Sequence, residues 1–485
     1  MGINDIFNIA SRGIAAQRVA IEVTSENISN VNTPGYSRQR TIMESGPANS
    51  GSGFPIGSGV QVAAIERSYD NLLQSQIVNG NSTYQQNLAK QTALQQVEPI
   101  VNELTTDGLG KAMDNFFGAW QDLSANPQGS AERQTLISRS QVLTDTFHQM
   151  NSSLTSVVAN SDTAIQGITS EITDKAKNIA SLNSQILTTE QLGGNSNELR
   201  DQRDYLVQEL AKKVGITTAE QSNGTLNINL PGGEALVNGT QYATVYTNPN
   251  TAVPPTNTND IFVTPLGNPP PANTPATDKN VTATIGGTNN GLGEIGGTLQ
   301  VRDTIVPGYI KKLDEMANQL VTTVNTQHQS GYALDGTSGN NFFDPAGTAS
   351  GSINLDSGLT TTKIAAGLPT LSDPAPTSSG NNGNALKLAD LKNSSITFST
   401  GNATVNGFYN AFVSKVGIDV QSAKNSSSQG EAFLKQLNNL RDSNSAVSLD
   451  EELTNLTKYQ RAFEGAAKLI NAGTDMMDTV LGLIK

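Results

Sequence analysis

The side chains that most often carry chemistry are scarce in this chain of 485 residues. It has no cysteine and only two histidines, His148 and His328. Without cysteine, the chain can form no disulfide, no thiolate metal site and no cysteine nucleophile. The two histidines lie far apart in the sequence and each falls in a helical pattern. Two isolated imidazoles do not make a zinc site, so we predict packing or helix-surface roles for both.

One glycine-rich stretch has the spacing of a dinucleotide-binding loop. Residues 291–296, Gly-Leu-Gly-Glu-Ile-Gly, match the pattern G-x-G-x-x-G. A dinucleotide site needs a strand before this motif and an uninterrupted helix after it. Here a Thr-Asn-Asn-Gly turn precedes the motif and Pro307 follows soon after it. We therefore predict a flexible loop rather than a phosphate-binding turn.

A cluster of carboxylates is the remaining candidate for acid–base chemistry. Acidic and basic residues alternate there at helical spacing: Glu198, Arg200, Asp201, Arg203, Asp204, Glu209, Lys212 and Lys213. A solvated face of ion pairs explains this pattern better than a catalytic pair. No nucleophile elbow, P-loop or H-E-x-x-H sequence occurs. We predict a protein that is not an enzyme and that has no catalytic residue, cofactor or metal.

The clearest pattern is helical and lies at both ends of the chain. Alternating steps of four and three relate Ile3, Phe7, Ala10, Ile14, Gln17, Ile21, Thr24, Ile28 and Val31. The same steps relate Leu449, Leu453, Leu456, Gln460, Phe463, Ala467, Ile470, Thr474, Met477, Leu481 and Ile484. This spacing places the side chains on one seam of a helix, as in a coiled coil, and an apolar seam needs a partner. The simplest partner for one end is the other end.

A turn and a hairpin follow the first helix, which we predict from about residue 3 to residue 30. Residues 32–35, Asn-Thr-Pro-Gly, stop the helix. Pro34 and Gly35, as the central pair of a four-residue turn, favour type II geometry, because glycine accepts the positive φ of the third position. Extended patterns over 36–43 and 60–64 then indicate a hairpin arm. At the other end, residues 448–451 have the sequence of a capping box for the last helix.

Between these ends, helical and β patterns alternate. We predict helices over 70–104, 112–123, 131–189, 197–214, 299–329 (interrupted near Pro307) and 408–440, and a strand over 281–285. The fold class is α+β multidomain with discontinuous, nested domains. The predicted parts are a terminal coiled coil (1–35 plus 446–485), a hairpin arm and linker (36–83), a long-helix bundle as middle domain (84–215 plus 297–330 plus 405–445), a β-rich outer domain (216–296, with a proline-rich loop at 247–278) and a second β- and loop-rich segment (331–404).

Composition argues against two classes of partner. The net charge is -13, whereas a nucleic-acid binder or a protein held electrostatically on anionic lipid presents basic patches. No stretch approaches the roughly 20 apolar residues of a membrane span, and residues 1–30 have no uninterrupted apolar core. We expect no nucleic acid, no membrane insertion, and either a cytoplasmic location or export without a cleaved signal.

Residues 27–38, Asn-Ile-Ser-Asn-Val-Asn-Thr-Pro-Gly-Tyr-Ser-Arg, closely resemble the signature shared by rod, hook and hook-associated proteins of the bacterial flagellum. The residues of this turn signature are Asn27, Asn30, Asn32, Thr33, Pro34, Gly35 and Tyr36. Further stretches resemble the hook-associated protein 1 family within that group: 59–76, 197–204, 293–303, 328–336, 384–391 and 447–452.

The resemblance implies a structural, extracellular protein at the junction between hook and filament, exported unfolded by the flagellar type III apparatus. Its partners would be other copies of itself in a ring or short helical assembly, the hook protein, hook-associated protein 3 and an export chaperone. Polar residues in both seams lower the stability of an isolated helix pair, so we expect both ends to fold on assembly.

Three alternatives remain open on the sequence. A flagellar hook or distal rod protein would share the turn signature. A secreted adhesin could use the central β region as its binding module, although it would not need matching helical ends. A cytoplasmic coiled-coil scaffold would leave the turn signature without an explanation.

Overall fold

The structure is a computed structural model, and it describes residues 3–49, 56–101, 108–194, 196–250, 258–287, 289, 291–369 and 380–483. The helices are Ile3–Ser29 (α1), Asn71–Val101 (α2), Leu109–Ala125 (α3), Ser130–Gln191 (α4), Asn197–Lys213 (α5), Thr282–Ile285 (α6), Gly293–Gln300 (α7), Val306–Gln329 (α8), Gly383–Asp390 (α9), Val405–Ser445 (α10) and Leu449–Leu483 (α11). The strands are Gln39–Ser45 (β1), Ala48–Asn49 (β2), Ile56–Gly57 (β3), Val60–Arg67 (β4), Thr217–Glu220 (β5), Leu226–Asn229 (β6), Ala235–Asn238 (β7), Gln241–Tyr242 (β8), Val245–Pro249 (β9), Asn259–Val263 (β10), Lys279–Asn280 (β11), Tyr332–Ala333 (β12), Ala365–Gly367 (β13), Ile396–Phe398 (β14) and Gly401–Ala403 (β15). The predicted α+β multidomain class is confirmed, whereas the domain boundaries stay predictions.

The first and last helices pack along each other. Small residues bring them close: a methyl group added at Gly13 would lie 3.5 Å from Cβ of Ala466, and one at Gly473 would lie 3.1 Å from the Phe7 ring. Ala16 and Ala20 of α1 are buried. The two glycines thus let the helices approach closely, one of them against the Phe7 ring.

The predicted hairpin arm follows α1. Strand β1 pairs with β4 in antiparallel register from Gln39 opposite Arg67 to Ser45 opposite Val60. A bulge between Ile42 and Met43 shifts the register by one residue. A two-stranded hairpin is marginal in water by itself, so its position depends on what holds its base.

The long helix α4 supplies two separate hydrophobic cores. Its first half, from Leu136 to Val158, packs with α3, α8 and α10 around Trp120. Its second half, from Ile165 to Ile186, packs with α5, α7 and the β strands of residues 217–263. With 62 residues the helix spans about 93 Å at 1.5 Å per residue. Two cores on one continuous helix fit a composition that is lean in aromatic residues.

The β region contains a strand that the sequence did not predict. Strands β5 to β8 form a sheet in the order β5-β6-β7-β8, and a second sheet has the order β11-β10-β9. Strand β10 lies inside the segment 247–278 that was predicted as a proline-rich loop, and that prediction is wrong there. Ile261 and Val263 of β10 are buried on one face, whereas the prolines that dominated the pattern lie outside the strand.

The predicted strand over 281–285 is also wrong, because these residues contain the helical turn α6. The apolar residues at 281, 283 and 285 fit a β alternation in the sequence, but Val281 and Ile285 are buried and Ala283 is exposed, which fits a helical step of four. The side chain of Asn280 accepts a hydrogen bond from the Thr282 N–H at 3.0 Å and starts the turn.

The glycine-rich motif begins a helix instead of forming a flexible loop. Gly293 has φ +70°, and a methyl group there would lie 2.6 Å from the Val214 nitrogen. A methyl group at Gly297 would lie 2.2 Å from the Gln86 carbonyl oxygen. These glycines let α7 pack directly on α2 and α5. The interruption predicted near Pro307 is a π-helical turn over Val301–Ile305, after which α8 continues.

His328 has a packing role, as predicted for it. It is fully buried, its Nε2 accepts a hydrogen bond from the Ala365 N–H at 2.9 Å, and its Nδ1 lies 2.8 Å from the Asn340 carbonyl oxygen. Nε2 is an acceptor here, so the proton sits on Nδ1 and the ring is neutral. Burial lowers the pKa of His328 to about 4.

This pKa predicts a pH dependence of the free energy of unfolding. Below its ordinary value of 6.5 the unfolded chain binds a proton that the folded chain excludes, so stability falls as the pH drops from about 6.5 to about 4, by roughly 3 kcal/mol. Trp120, the only tryptophan, lies 6.1 Å from the His328 ring and reports unfolding by fluorescence. His328→Gln should flatten this dependence. The matched control is His148→Gln, and equal flattening in both variants would contradict the assignment.

Candidate assembly junction

The turn signature lies where several elements meet: the end of α1, the start of β1, α5, and the corner between α10 and α11. The backbone N–H of Ser37 donates to Asp201 of α5 at 2.9 Å. The backbone N–H of Arg38 donates to the Ser445 carbonyl at the end of α10 at 2.9 Å. We call the residues 27–39, 67, 201–204 and 445–452 the junction.

Asn27 is the centre of the junction and is buried. Its Oδ1 accepts hydrogen bonds from the Gln39 N–H and the Tyr36 hydroxyl, both at 2.9 Å. Its Nδ2 donates to the Gln39 carbonyl at 2.8 Å and to the Glu452 carboxylate at 3.1 Å. An amide side chain can make four such bonds, and Asn27 makes all of them. One side chain thereby holds the start of β1 and the start of α11 against α1.

The turn has the geometry that its sequence predicts. The Tyr36 N–H donates to the Thr33 carbonyl at 3.2 Å, and Gly35 has φ +82°. A methyl group at Gly35 would lie 2.9 Å from Cβ of Tyr205 on α5. The Thr33 hydroxyl donates to Oδ1 of Asn30 at 3.0 Å. Glycine is therefore required twice at position 35, once for the backbone conformation and once for the approach of α5.

Arg38 connects the turn to the beginning of α11. Its Nη1 lies 2.7 Å from a Glu451 carboxylate oxygen and its Nε lies 2.7 Å from one of Glu452. Glu452 is almost fully buried, with its carboxylate shared between Arg38 and Asn27. Glu451, predicted as the acid of a capping box, forms this ion pair with Arg38.

The charged face predicted as solvated is buried at the junction. Nη1 of Arg67 lies 2.6 Å from Asp201 and 2.9 Å from Asp204. Burial raises the pKa of Asp201, and the adjacent Arg67 opposes that rise. Arg203 is buried too and donates to the Gly224 carbonyl at 2.7 Å. The prediction of a solvated face is wrong for these residues, because helical spacing does not reveal which face of a helix is covered.

The predicted N-terminal seam is partly covered within one chain, and its Phe7 lies against Gly473 of α11. The buried side chains of the described part of α1 are Ala10, Ala16, Ala20, Val23, Thr24 and Asn27. Ala10 and Thr24 belong to the predicted seam. The other seam residues whose side chains the structure describes are half-buried: Phe7, Ile14, Gln17, Ile21, Ile28 and Val31. Nothing is described for the Ile3 side chain.

The predicted C-terminal seam is more open to solvent. Its half-buried members are Leu456, Phe463, Ala467 and Ile470, and its exposed members are Leu449, Leu453, Gln460, Thr474, Met477 and Leu481. Ile484 lies outside the described residues. Within the described part of α11, the buried residues are Glu452 and Gly473. Within the part of the chain that the structure describes, the apolar side chains Met476, Met477, Val480 and Leu481 near the end of α11 are 38–56% exposed.

Two other kinds of feature, a metal site and a membrane-spanning helix, are absent from the described residues. Among them, no group of three or more histidine, aspartate or glutamate side chains is placed to hold a metal ion. Likewise, none of the helices that the structure describes has the length and hydropathy to cross a membrane.

Comparisons with known proteins agree with this arrangement. The model of the family "Flagellar hook-associated protein FlgK helical domain" matches residues 94–343. The models "Flagella basal body rod protein" and "Flagellar basal body rod FlgEFG protein C-terminal" match residues 7–36 and 441–483. The two terminal segments thus match models of rod proteins, and the middle matches a model of hook-associated proteins.

Similar proteins cover the chain over its length. Flagellar hook-associated protein 1 of Bacillus subtilis is 29% identical over 97% of this chain and 96% of its own length. That of Salmonella typhimurium is 27% identical over 99% of this chain and 100% of its own length. The solved structure of the flagellar hook junction protein FlgK from Burkholderia pseudomallei aligns with a TM-score of 0.66 at 16% identity, covering 76% of this chain and 99% of that one. That alignment shows a shared fold.

The four bonds of Asn27 predict that Asn27→Asp will loosen the terminal helices. The aspartate cannot donate to the Gln39 carbonyl, and it sets a second carboxylate against buried Glu452. We expect the contact between α1, β1 and α11 to weaken by about 2–4 kcal/mol. Amide hydrogen exchange in β1 should accelerate at least tenfold. Asn8→Asp, at an exposed position of the same helix, is the matched control, and similar exchange in both variants would refute the role of Asn27.

Proposed function

We propose that this chain, which belongs to the flagellar hook-associated protein FlgK family, assembles with neighbouring copies of itself through its paired terminal helices. The chain is a structural component of the hook–filament junction. We infer that its role is mechanical and that it catalyses no reaction. The supporting observation is the apolar surface that α11 leaves uncovered.

That surface lies on the last third of α11. Leu469, Met476 and Leu483, seven residues apart on one face, are 48%, 51% and 82% exposed, and Met477 and Leu481 on the adjacent seam face are 38% and 56% exposed. An exposed apolar surface that is continuous along a helix typically marks a contact with another protein. The isoleucines of the α1 seam are only half-buried, so the same kind of partner would cover the rest of their surface. Neighbouring copies would bury both sets of side chains.

The division of family matches supports the same proposal. Segments 7–36 and 441–483 match models of rod proteins, which are themselves axial parts of the flagellum. These are the segments that form α1, the turn and α11. An element common to several axial proteins is the natural candidate for the contact that all axial proteins need. The middle of the chain would then carry what is particular to the junction.

The junction residues would fix the direction in which the terminal pair leaves the rest of the subunit. Asn27 and Arg38 bind the terminal helices to the base of the hairpin arm, and Arg67 binds the arm to α5. We propose that copies stack in a ring or short helical assembly, with the hook protein on one side and hook-associated protein 3 on the other. Export would occur unfolded, with a dedicated chaperone, to the outside of the cell.

The uncovered surface of α11 predicts the effect of Leu481→Glu. A carboxylate there remains in water in the free subunit but would be buried between subunits, at a cost of several kcal/mol. We expect normal secretion of the variant and its loss into the medium, with no band at the hook–filament boundary in immunogold images. Thr479→Glu, at an exposed position on the opposite side of the same helix, is the matched control. Normal junctions with Leu481→Glu would exclude this face as the contact.

The turn predicts that Gly35→Val will disturb assembly more than secretion. Valine is strained at φ +82°, and its Cβ would overlap with Tyr205, so α5 and the turn must separate. We expect the variant to be exported but not incorporated, and motility to be lost. Gly193→Val is the matched control, because Gly193 has φ +76° but a methyl group there meets no atom within 4 Å. Normal motility with Gly35→Val would show that the turn does not position an assembly element.

A further inference from the structure

A deep groove lies in the middle of the molecule, away from the terminal helices and the junction. It runs between α10 on one side and α2, the π-helical turn and α8 on the other, with a volume of about 670 Å³. Its lining extends along α10 from Phe408 to Ser426, which is about 27 Å of helix. The proposed assembly surface on α11 does not use this groove.

One end of the groove is lined mainly by apolar side chains, and the ammonium group of Lys312 lies there 5.4 Å from the centre of the Phe408 ring. Leu94, Ile305, Phe408 and Phe412 line it, and the rings of Tyr309 and Phe412 lie 6.0 Å apart. Leu94, Phe408 and Phe412 are largely buried, so the floor of the groove is also the wall of the main hydrophobic core. An apolar wall of this kind favours an apolar occupant over water.

The other end is polar and carries a cation. Gly430 packs on Tyr84, and Gly80 packs on Leu434. Helices α10 and α2 are therefore antiparallel. Their register places Lys90 opposite the helical turn of α10 that runs from Ser422 to Ser426. Lys90, both serines and Asn87 line the groove at this level. They offer one ammonium group, two hydroxyls and one amide to a ligand.

Lys90 differs from the other lysines of the groove in having no acidic partner. Lys312 lies 3.7 Å from Glu315, and Lys415 forms an ion pair with Asp419. Among the residues that the structure describes, no carboxylate is within ion-pair distance of Lys90, and burial lowers its pKa. A half-buried ammonium without a counter-charge is unfavourable in the empty groove, and an anion beside it would remove that cost.

We propose that this groove binds a single-chain anionic amphiphile, with a carboxylate head at Lys90 and an alkyl tail along Phe412 towards Phe408. The volume supports a slender ligand: a helix of the same length and about 10 Å in diameter would occupy about 2,000 Å³, whereas small-molecule sites measure about 300–1,000 Å³. The charge of Lys90 selects an anionic head, and the apolar walls select an unbranched tail.

Calorimetric titration of the full-length monomer with dodecanoate, below its micelle-forming concentration, tests this proposal. We expect one site per chain, and at least tenfold weaker binding of dodecyltrimethylammonium, which has the same tail and a cationic head. Lys90→Met should weaken dodecanoate binding about tenfold without lowering the thermal stability, because it removes an unpaired cation. Lys424→Met, at an exposed lysine of α10 outside the groove, should bind as the parent does.

Gly308 allows a second variant that blocks the groove without disturbing the fold. Gly308 lines the groove, and a methyl group added to it meets no atom within 4 Å. Gly308→Leu should fill the space and weaken dodecanoate binding at least tenfold. Gly417→Leu is the matched control, since Gly417 of α10 is equally open but lies outside the lining.

Three results would overturn the proposal. They are the absence of saturable dodecanoate binding, equal affinity for the two head groups, and unchanged binding by Gly308→Leu. Sedimentation of the same variants distinguishes a protein occupant: self-association of the parent that Gly308→Leu abolishes would assign the groove to a second copy of the chain instead.

Discussion

The buried amide of Asn27 is the constraint on which the arrangement of the subunit depends. Its bond to Glu452 joins residues 425 positions apart, and its bonds to Gln39 fix the strand that follows the turn. A buried amide loses its water, so every bond that it fails to make costs free energy. Only one placement of α1, β1 and α11 satisfies all four bonds. The placement of α1, β1 and α11 relative to one another therefore depends on a polar contact.

Buried asparagines that bind backbone groups also occur elsewhere in the molecule. Asn183 of α4 holds both the N–H and the carbonyl of Leu226, at 3.1 and 2.8 Å, and so fixes β6. Asn325 of α8 holds the N–H and the carbonyl of Phe343, both at 2.9 Å. Each of these asparagines lies on a helix and binds the backbone of a non-helical segment as a neighbouring strand would. In a chain with few aromatic residues, buried asparagines replace part of the cohesion that larger cores supply.

The sequence predicted the long helices and the turn because their signals are local. Nine seam positions at consistent spacing indicate a helix wherever it packs, and the positive φ of Gly35 follows from the residues on either side. It could not predict which face of a helix is covered. The most buried positions of α1 include Ala16 and Ala20, which are small and weakly apolar, while the larger isoleucines that dominated the pattern are half-buried.

Other features depend on partners that are distant in the sequence. Asp201 is buried because a turn 164 residues earlier and Arg67 supply its hydrogen bonds, and no local pattern contains that information. Val281 and Ile285 fit a strand or a helical turn equally well until their neighbours are known. The motifs around residues 27–38, 197–204 and 447–452 were separate resemblances in the sequence, and the fold brings them together as one junction.

The positioning of the chain ends and their attachment to other subunits therefore depend on two different kinds of interaction. The polar contacts of Asn27 and Arg38 lie within one subunit, are directional, and determine where the terminal helices point. The apolar side chains near the end of α11 have little cover in one subunit and set no direction by themselves. Burying a large apolar side chain yields about 1.5–3 kcal/mol, so several of them on one helix can supply the free energy of a contact between subunits. The direction of the terminal helices would then be fixed within each chain, and the strength of assembly would be fixed between chains.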